Sequence, residues 1–473
     1  MVNDEDLISS SVVFPNGRVL RNRLVKVALY EHLARLFGGP PNRFHLELYS
    51  TWSTHGWGMI FTGNVQVSPQ HLSLARDLVL PRELSEKNLR PFRELAVAMH
   101  GDREEKPLAI MQLNHTGRQS PNLLGGRLPF SPPLGPSSIP LGSSLKHTGI
   151  ISDLLHQLMF QIPRSMSLTD IDDVVAAFVR GAKLAAQTGY DGVELHAAHG
   201  YLLAQFISPK SNKRTDDYSC SPKNTLRLLH RIVTETRAVV PRNFILGLKM
   251  NSADYADSYE NGDISPALDH IRTIASWGSV DFIEISGGDY ESPGKSQLAT
   301  LQTMAFFPSL RAMLLAPSRR SLMRRLSSSR AGSPLPAQLH AALSSQHTHL
   351  VGLGRAAILR PDLPVLLTKE QPNSQVPFAA APNLTLGETW GWTFKYLPRI
   401  KLIGAGATMA WYILAMRRLT VRSAQLPTPN YSVGAVGGVW GMWAWFCPEV
   451  PALGILCIIF VFIVMAWAMA CSK

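Results

Sequence analysis

Cysteine is scarce in this chain, and its placement excludes two kinds of site. The sequence has 473 residues and four cysteines. Three of them, Cys447, Cys457 and Cys471, lie in the apolar C-terminal stretch, so only Cys220 remains for the rest of the chain. A disulfide framework needs an even set of cysteines, and a thiolate-ligated zinc or iron–sulfur site needs several together. The sequence therefore excludes both from the body of the protein.

Charge is also sparse, and the net charge is unevenly placed. Charged residues make up 17% of the chain, and the net charge is +12. Residues 301–430 hold 15 Lys+Arg against 3 Asp+Glu, a difference of 12, so residues 1–300 and the tail are neutral. A nucleic-acid-binding protein carries its basic excess on the folded body. We therefore expect no nucleic acid partner, and a basic stretch before an apolar tail fits a membrane surface better.

The C-terminal tail contains a long apolar run without any charge. Residues 452–471 are twenty uncharged residues, which matches the roughly 20 that a helix needs to cross a bilayer. The acidic N-terminus lacks the apolar segment of a signal peptide. We predict a basic linker with an interfacial helix at 371–431 and a membrane-associated tail at 432–473. The part before this tail is then expected on the cytosolic face, for example of the endoplasmic reticulum.

Residues 1–370 alternate between strand-like and helix-like segments. Short β-type apolar runs recur with helical patterns between them, and strands that alternate with helices form parallel sheets. Seven such units in about 330 residues favour a (β/α)8 TIM barrel, a fold of the α/β class, over an open sheet. The runs lie at residues 24–29, 58–67, 107–113, 192–195, 244–250, 281–285 and 350–353.

The region expected to supply the seventh strand is atypical. Between residues 294 and 348 we find a helix-like run at 301–315, then the basic segment RRSLMRRLSSSR, and no buried strand that a Gly-rich turn follows. One interpretation is a basic patch for a membrane or a partner. The favoured interpretation is a damaged segment, because a closed barrel tolerates no missing strand.

Polar residues follow the ends of these strands repeatedly. In a parallel barrel the carboxyl ends of all strands meet at one rim, and that rim carries the active site. Their shared position is stronger evidence than any single residue. The residues are Tyr30, Asn64, Gln112, His196, His199, Lys249, Ser286, Gly352, Gly354 and Arg355.

Two of these groups suggest a ligand by themselves, but only weakly. His196 and His199 have a spacing that suits a metal, which leaves a metal-dependent barrel hydrolase as an alternative. We expect Glu194 to point away from them, so a third ligand is lacking, and no metal site is predicted. Gly352 and Gly354 offer backbone N–H groups to a phosphate, and Arg355 adds a cation.

One long motif decides between these interpretations. The segment GVELHAAHGYLLAQFISPKSNKRTDDYSCSPKN closely resembles the signature of the old yellow enzyme family, the NADH:flavin oxidoreductases. The resemblance extends to NRLVKVAL, WGMIFTGNV, AIMQLNHTGRQSP, LKMNSADY, DFIEISGGDY and LVGLGRAA. It implies a (β/α)8 barrel with FMN, reduced by NADH or NADPH, that reduces the C=C bond of an enone or enal.

The resemblance also implies roles for individual residues. Gln112 would bind the flavin pyrimidine edge, Lys249 the N1 side, and Arg355 with its two glycines the FMN phosphate. His196 and His199 would donate hydrogen bonds to the substrate carbonyl, and Tyr201 would protonate the α-carbon. Tyr30 stands where the family usually has Thr or Cys, beside the flavin C4=O and N5, and Asn64 follows the second strand. Without a seventh strand the chain would instead be an impaired relic or scaffold that binds FMN poorly.

Overall fold

Eight strands close into a barrel. The computed structural model describes residues 7–142, 156–251, 265–286, 301–306, 335–344, 348–369, 406–421 and 435–445. Each strand pairs with the next, and the eighth pairs with the first, so the sheet has no open edge. The strands are β1 (Leu24–Lys26), β2 (Met59–Gln66), β3 (Leu108–Asn114), β4 (Gly192–Ala197), β5 (Ile245–Asn251), β6 (Phe282–Ser286), β7 (Leu301–Phe306) and β8 (Leu350–Leu353). The barrel predicted from the sequence is confirmed.

Helices cover the outside of the barrel. The longest, Leu168–Gln187, buries one apolar face that includes Ile171 and Phe178. It begins at Ser167, whose side chain forms a capping box with Asp170. The helices are α1 (Arg43–Ser53), α2 (Glu86–His100), α3 (Leu168–Gln187), α4 (Leu202–Ile207), α5 (Arg227–Val239), α6 (Ser265–Ser276), α7 (Leu335–Ser344), α8 (Arg355–Leu359), α9 (Leu363–Lys369), α10 (Gly406–Leu419) and α11 (Ala435–Ala444).

The seventh strand exists, but it runs in the opposite direction to the others. Residues Leu301–Phe306 pair antiparallel with both β6 and β8, whereas the other neighbouring barrel strands pair in parallel. The prediction that no strand lies between 294 and 348, and that 301–315 begins a helix, was therefore wrong. Because β7 is reversed, its carboxyl end lies at the opposite rim from the carboxyl ends of the other seven strands.

Side chains inside the barrel change from apolar to polar along its axis. Near the amino ends of the strands, Phe282 makes edge-to-face contacts with Phe61 and Phe14. Phe14 belongs to a short N-terminal hairpin that closes this end. A Cβ on Gly247 would overlap the Phe282 ring, so only glycine leaves room for it there. The apolar end is therefore filled, and a ligand must enter from the carboxyl end.

The C-terminal part that the structure describes packs on the barrel. Helices α10 and α11 contact each other, and α10 also contacts α1 and α8. Trp411, Ile413 and Met416 of α10 are buried in the main hydrophobic core. An interfacial helix was predicted in this region, but its apolar face is covered by protein instead. No helix among the described residues is long and apolar enough to span a membrane. Residues 452–471, the predicted transmembrane segment, lie outside the described residues.

We call the pair of helices α10 and α11 the C-terminal hairpin. Arg417 joins this hairpin to the loop after β1. Its guanidinium donates to His32 Nδ1 at 2.9 Å and to the carbonyl oxygens of Gly441 at 3.0 Å and Met442 at 3.2 Å. The guanidinium also lies 4.0 Å from the centre of the Trp445 ring. Arg417 is buried, so removing it leaves several buried acceptors without a donor.

We expect Arg417→Met to lower the free energy of unfolding by about 2–4 kcal/mol, because buried groups lose their partners. The matched control is Arg418→Met, since Arg418 is the exposed neighbour on the same helix and should change stability by less than about 0.5 kcal/mol. Urea unfolding followed by tryptophan fluorescence measures both. Equal effects for the two variants would show that the hairpin does not depend on Arg417.

Candidate active site

Seven strand ends bring polar side chains to one rim. His196 lies on β4, Lys249 on β5 and Ser286 on β6, in strands that are directly paired. Asn64 on β2 is in register with Gln112 on β3. Tyr201 immediately precedes α4 and stacks edge-to-face on His196, with ring centres 4.9 Å apart. The residues that the sequence singled out on these strands therefore share one site.

Hydrogen bonds fix the proton positions on the two histidines. The backbone N–H of Ala198 donates to His196 Nδ1, so in a neutral ring the proton is on Nε2. His196 Nε2 is 3.2 Å from His199 Nδ1, which makes His199 Nδ1 the acceptor. His199 Nε2 then carries the second ring's proton and donates to Ser286 Oγ at 3.1 Å. The result is a directed chain of donors along the rim.

Burial keeps both imidazoles neutral. Desolvation first, and the positive charges nearby second, lower the pKa of His199 to about 3 and hold the pKa of His196 well below its ordinary value. The nearby charge includes Lys249 in both cases. The pair therefore acts through neutral N–H donors rather than as cations.

His199 sits in a strained loop. Its φ is +57°, in the left-handed region that side chains other than glycine rarely adopt. The side-chain amide of Gln119 donates to the His199 carbonyl oxygen at 2.8 Å. This contact from the loop after β3 helps to hold the turn between His196 and Tyr201, and strain of this kind concentrates at functional sites.

Tyr30 contacts a buried carboxyl group that sequence reasoning missed. Its hydroxyl donates to Asp77 Oδ2 at 3.3 Å. Burial first, and then Asp77, raise the pKa of Tyr30 well above its ordinary value, and Tyr201 contributes through its proximity. Tyr30 therefore stays protonated, and it lies near Tyr201, the proton donor that the family resemblance implies.

Below the rim lies a buried polar layer. Lys249 Nζ forms an ion pair with Glu284 at 2.6 Å, and Gln112 Nε2 donates to Glu194 Oε2 at 2.6 Å. The expectation that Glu194 points away from His196 was wrong, because residues two apart on a strand share a face. Glu194 and Glu284 were not chosen from the sequence. The sequence could have indicated them, because each lies two residues before a rim residue on the same strand: Glu194 before His196 on β4, and Glu284 before Ser286 on β6.

Arg355 lies two residues after the end of β8. Gly352 lies on β8 in register with Val25 of β1, and Gly354 precedes α8. The Arg355 guanidinium is exposed and lies 5.5 Å from the centre of the Tyr412 ring of α10. A basic side chain beside two glycines is available to an anion here, and Tyr412, from the C-terminal hairpin, was not anticipated.

No cluster of three metal-ligating side chains occurs among the described residues. In that part of the chain His196 donates to His199 and His199 donates to Ser286, rather than both rings converging on one point.

Comparison with known proteins gives the family. The model of the NADH:flavin oxidoreductase / NADH oxidase family matches residues 15–374. This chain belongs to that family. NADH-dependent flavin oxidoreductase iliE of Neonectria sp. (strain DH2) is 41% identical over 278 residues, which are 59% of this chain and 35% of that protein. NADH-dependent flavin oxidoreductase iccE of Talaromyces variabilis is 36% identical over 286 residues, 60% of this chain and 67% of that one.

Solved structures of the family share the fold. The old yellow enzyme homologue from Zymomonas mobilis aligns with a TM-score of 0.56 at 20% identity, over 76% of this chain and 91% of that one. A 2-naphthoyl-CoA reductase complex aligns with a TM-score of 0.63 at 20% identity, over 84% of this chain and 58% of that one. At this identity the likeness supports the α/β barrel alone.

FMN is the cofactor of the family, and the residues at the rim fit it. A flavin ring offers both hydrogen-bond donors and acceptors, and here amides, imidazoles and a lysine lie at the same ends of paired strands. Asn114 Oδ1 and Gln119 Oε1 are buried acceptors without a donor among the described residues, which a ligand with N–H groups would satisfy. Gln112 and Lys249 would hold the ring, and Arg355 with Gly352 and Gly354 would hold the phosphate.

We predict that stability falls in acid partly because of His199. Its pKa is about 3 in the folded state and about 6.5 when unfolded. Between these values the unfolded state binds more protons, so the free energy of unfolding decreases as pH falls, by up to about 1.4 kcal/mol per pH unit. His199→Gln should reduce this slope between pH about 6.5 and about 4.5.

Urea unfolding at several pH values measures the slope. The same substitution at His230, whose side chain is exposed, is the control and should leave the slope unchanged. If His199→Gln and wild type had parallel pH profiles, the buried neutral state assigned to His199 would be incorrect.

Proposed function

We propose that this chain is an FMN-dependent reductase that uses NADH or NADPH to reduce the C=C bond of an α,β-unsaturated carbonyl compound. The observation that carries the proposal is the convergence of His196, His199 and Tyr201 above Gln112 and Lys249 at one barrel rim. When bound, FMN supplies two-electron chemistry, accepting hydride from the nicotinamide and passing it to the β-carbon of the alkene.

The histidine pair would polarise the substrate. In the structure the His199 Nε2–H group donates to Ser286 Oγ. A substrate carbonyl oxygen that takes the place of Ser286 would receive this hydrogen bond, while His196 holds His199 in the same tautomer. The His196 N–H is donated to His199, so His199 Nε2–H is the donor aimed at this oxygen. A neutral donor there stabilises the negative charge that develops as the β-carbon accepts hydride.

Tyr201 would supply the proton to the α-carbon. The Asn64 amide donates to the Tyr201 hydroxyl oxygen at a long 3.5 Å. A donor to this oxygen stabilises the phenolate that remains after the proton leaves. Tyr30, whose hydroxyl donates to Asp77, lies near Tyr201.

The names of the relatives favour the reductant, and the length of the match limits what they say about the substrate. Relatives in this family are named NADH-dependent flavin oxidoreductases and NADPH dehydrogenases, which favours a nicotinamide dinucleotide as reductant. The match covers only about a third of iliE, so the substrate is proposed from the chemistry of the rim rather than from that relative.

A second candidate, an impaired barrel that binds FMN weakly, rests on the reversal of β7. Phosphate sites of such barrels are commonly formed by the loops after strands 7 and 8. Here the carboxyl end of β7 is at the wrong rim, so the loop after β8 would have to hold the phosphate with fewer backbone donors.

Absorbance after FMN addition and desalting separates the two candidates. The reductase should retain flavin absorbance, lose it on addition of NADH or NADPH without oxygen, and recover it with an enone. A protein that emerges colourless would favour the impaired barrel.

The Tyr201→Phe variant tests the proton donor. We expect the enone-dependent recovery to slow by roughly 10²–10⁴-fold, because the α-carbon loses its acid, while reduction by the nicotinamide changes little. Tyr218→Phe, which removes a hydroxyl that bonds Arg231, is the control. Stopped-flow absorbance measures both half-reactions, and equal slowing of the two would contradict a role specific to protonation.

The Arg355→Gln variant tests the phosphate site. Loss of a hydrogen bond to a charged group, about 1.5–3 kcal/mol, should weaken FMN binding by roughly 10- to 100-fold. Riboflavin, which has no phosphate, should bind wild type and variant alike. The control is Arg360→Gln, since Arg360 pairs with Asp362. Fluorescence quenching of the flavin gives the affinities, and an equal loss for riboflavin would contradict the assignment.

A further inference from the structure

The buried polar layer holds more carboxyl groups than its one cation can balance. Lys249, Glu194 and Glu284 are each at most 2% exposed. Two ionised carboxylates with one ammonium would leave a net negative charge in the barrel interior. A buried unpaired charge is costly, and such groups hold a proton instead.

The contacts show which carboxyl group holds the proton. Glu284 forms the 2.6 Å ion pair with Lys249 and so acts as the carboxylate. Glu194 Oε2 accepts from Gln112, whereas Glu194 Oε1 and Glu284 Oε2 are both buried and receive no hydrogen bond from the described residues. Burial first, and then the neighbouring Glu284 carboxyl, raise the pKa of Glu194 well above its ordinary value.

A proton on Glu194 Oε1 resolves both observations. This oxygen then becomes a donor, and the neighbouring Glu284 carboxyl, whose Oε2 lacks a donor among the described residues, is its acceptor. The layer becomes a continuous set of bonds from Gln112 through Glu194 and Glu284 to Lys249, and its net charge is zero. Gln112 and Glu194 lie on adjacent parallel strands, as do Lys249 and Glu284, whereas Glu194 and Glu284 lie on the two strands that flank β5.

We propose that Glu284 is the counter-ion of Lys249, completed by a protonated Glu194, and that this neutral layer sets the reduction potential of the flavin. The inference rests on the proposed function, since Lys249 is the cation assigned to the flavin N1 side. Glu284 is a positioning residue here, because it acts through Lys249.

The direction of the effect follows from charge. Reduction adds negative charge to the flavin, and a free Lys249 cation would stabilise that state. Glu284 offsets part of the cation, so it makes the flavin harder to reduce. Removing the Glu284 carboxylate should raise the reduction potential of the flavin. Replacing only the protonated Glu194 should leave this potential unchanged.

A pair of variants isolates this contribution. In Glu194→Gln, the new amide still accepts from Gln112 and donates to Glu284, so Glu284 stays ionised beside Lys249. The double variant Glu194→Gln with Glu284→Gln differs only by that carboxylate. The double variant also prevents Glu194 from ionising in place of Glu284.

Spectroelectrochemical titration of the FMN-loaded full chain measures the potentials. We expect Glu194→Gln to match wild type, and the double variant to favour reduced FMN by at least about tenfold, equivalent to about 30 mV for a two-electron couple. If FMN binds and the two variants have equal reduction potentials, the proposal is overturned.

Infrared difference spectroscopy tests the shared proton without flavin. The wild-type protein should show the carbonyl stretch of a buried protonated carboxylic acid, and this band should vanish in Glu194→Gln. An unchanged spectrum would overturn the assignment of the proton to Glu194. If wild type fails to bind FMN, the proposed function fails, and the infrared result still decides on the proton.

Discussion

Closure of the sheet is the constraint on which the rest of the structure depends. A closed barrel has no edge, so its interior must be filled by side chains that alternate along each strand. Aromatic rings fill the amino end, and β8 completes the ring by pairing with β1. The reversed β7 satisfies the hydrogen bonds of both neighbours, and closure is retained although one strand runs the wrong way.

The positions of most barrel strands and of the rim residues could be predicted from the sequence. The predicted runs at 192–195 and 281–285 lie within a residue or two of β4 and β6, because buried parallel strands leave local apolar runs. The convergence of His196, Lys249 and Gln112 followed from the rule that carboxyl ends share a rim. Their individual roles depend on FMN and remain proposals.

Other features depend on contacts distant in sequence, which local patterns do not record. The direction of β7 is decided by its pairing with β6 and β8, not by its own residues. Arg355 meets Tyr412 because α10 folds back onto α8. Ser167 and Thr169 both suit the N-cap of α3, and the capping box with Asp170 selects Ser167.

The bond between Arg417 and His32 joins residues 385 positions apart in the chain. Closing so long a loop is among the least local steps in folding, and such contacts form late. During synthesis, which proceeds from the N-terminus, the loop that carries Tyr30 cannot gain this support until α10 has left the ribosome. Support of the loop that carries Tyr30 is thereby coupled to synthesis of the chain as far as α10.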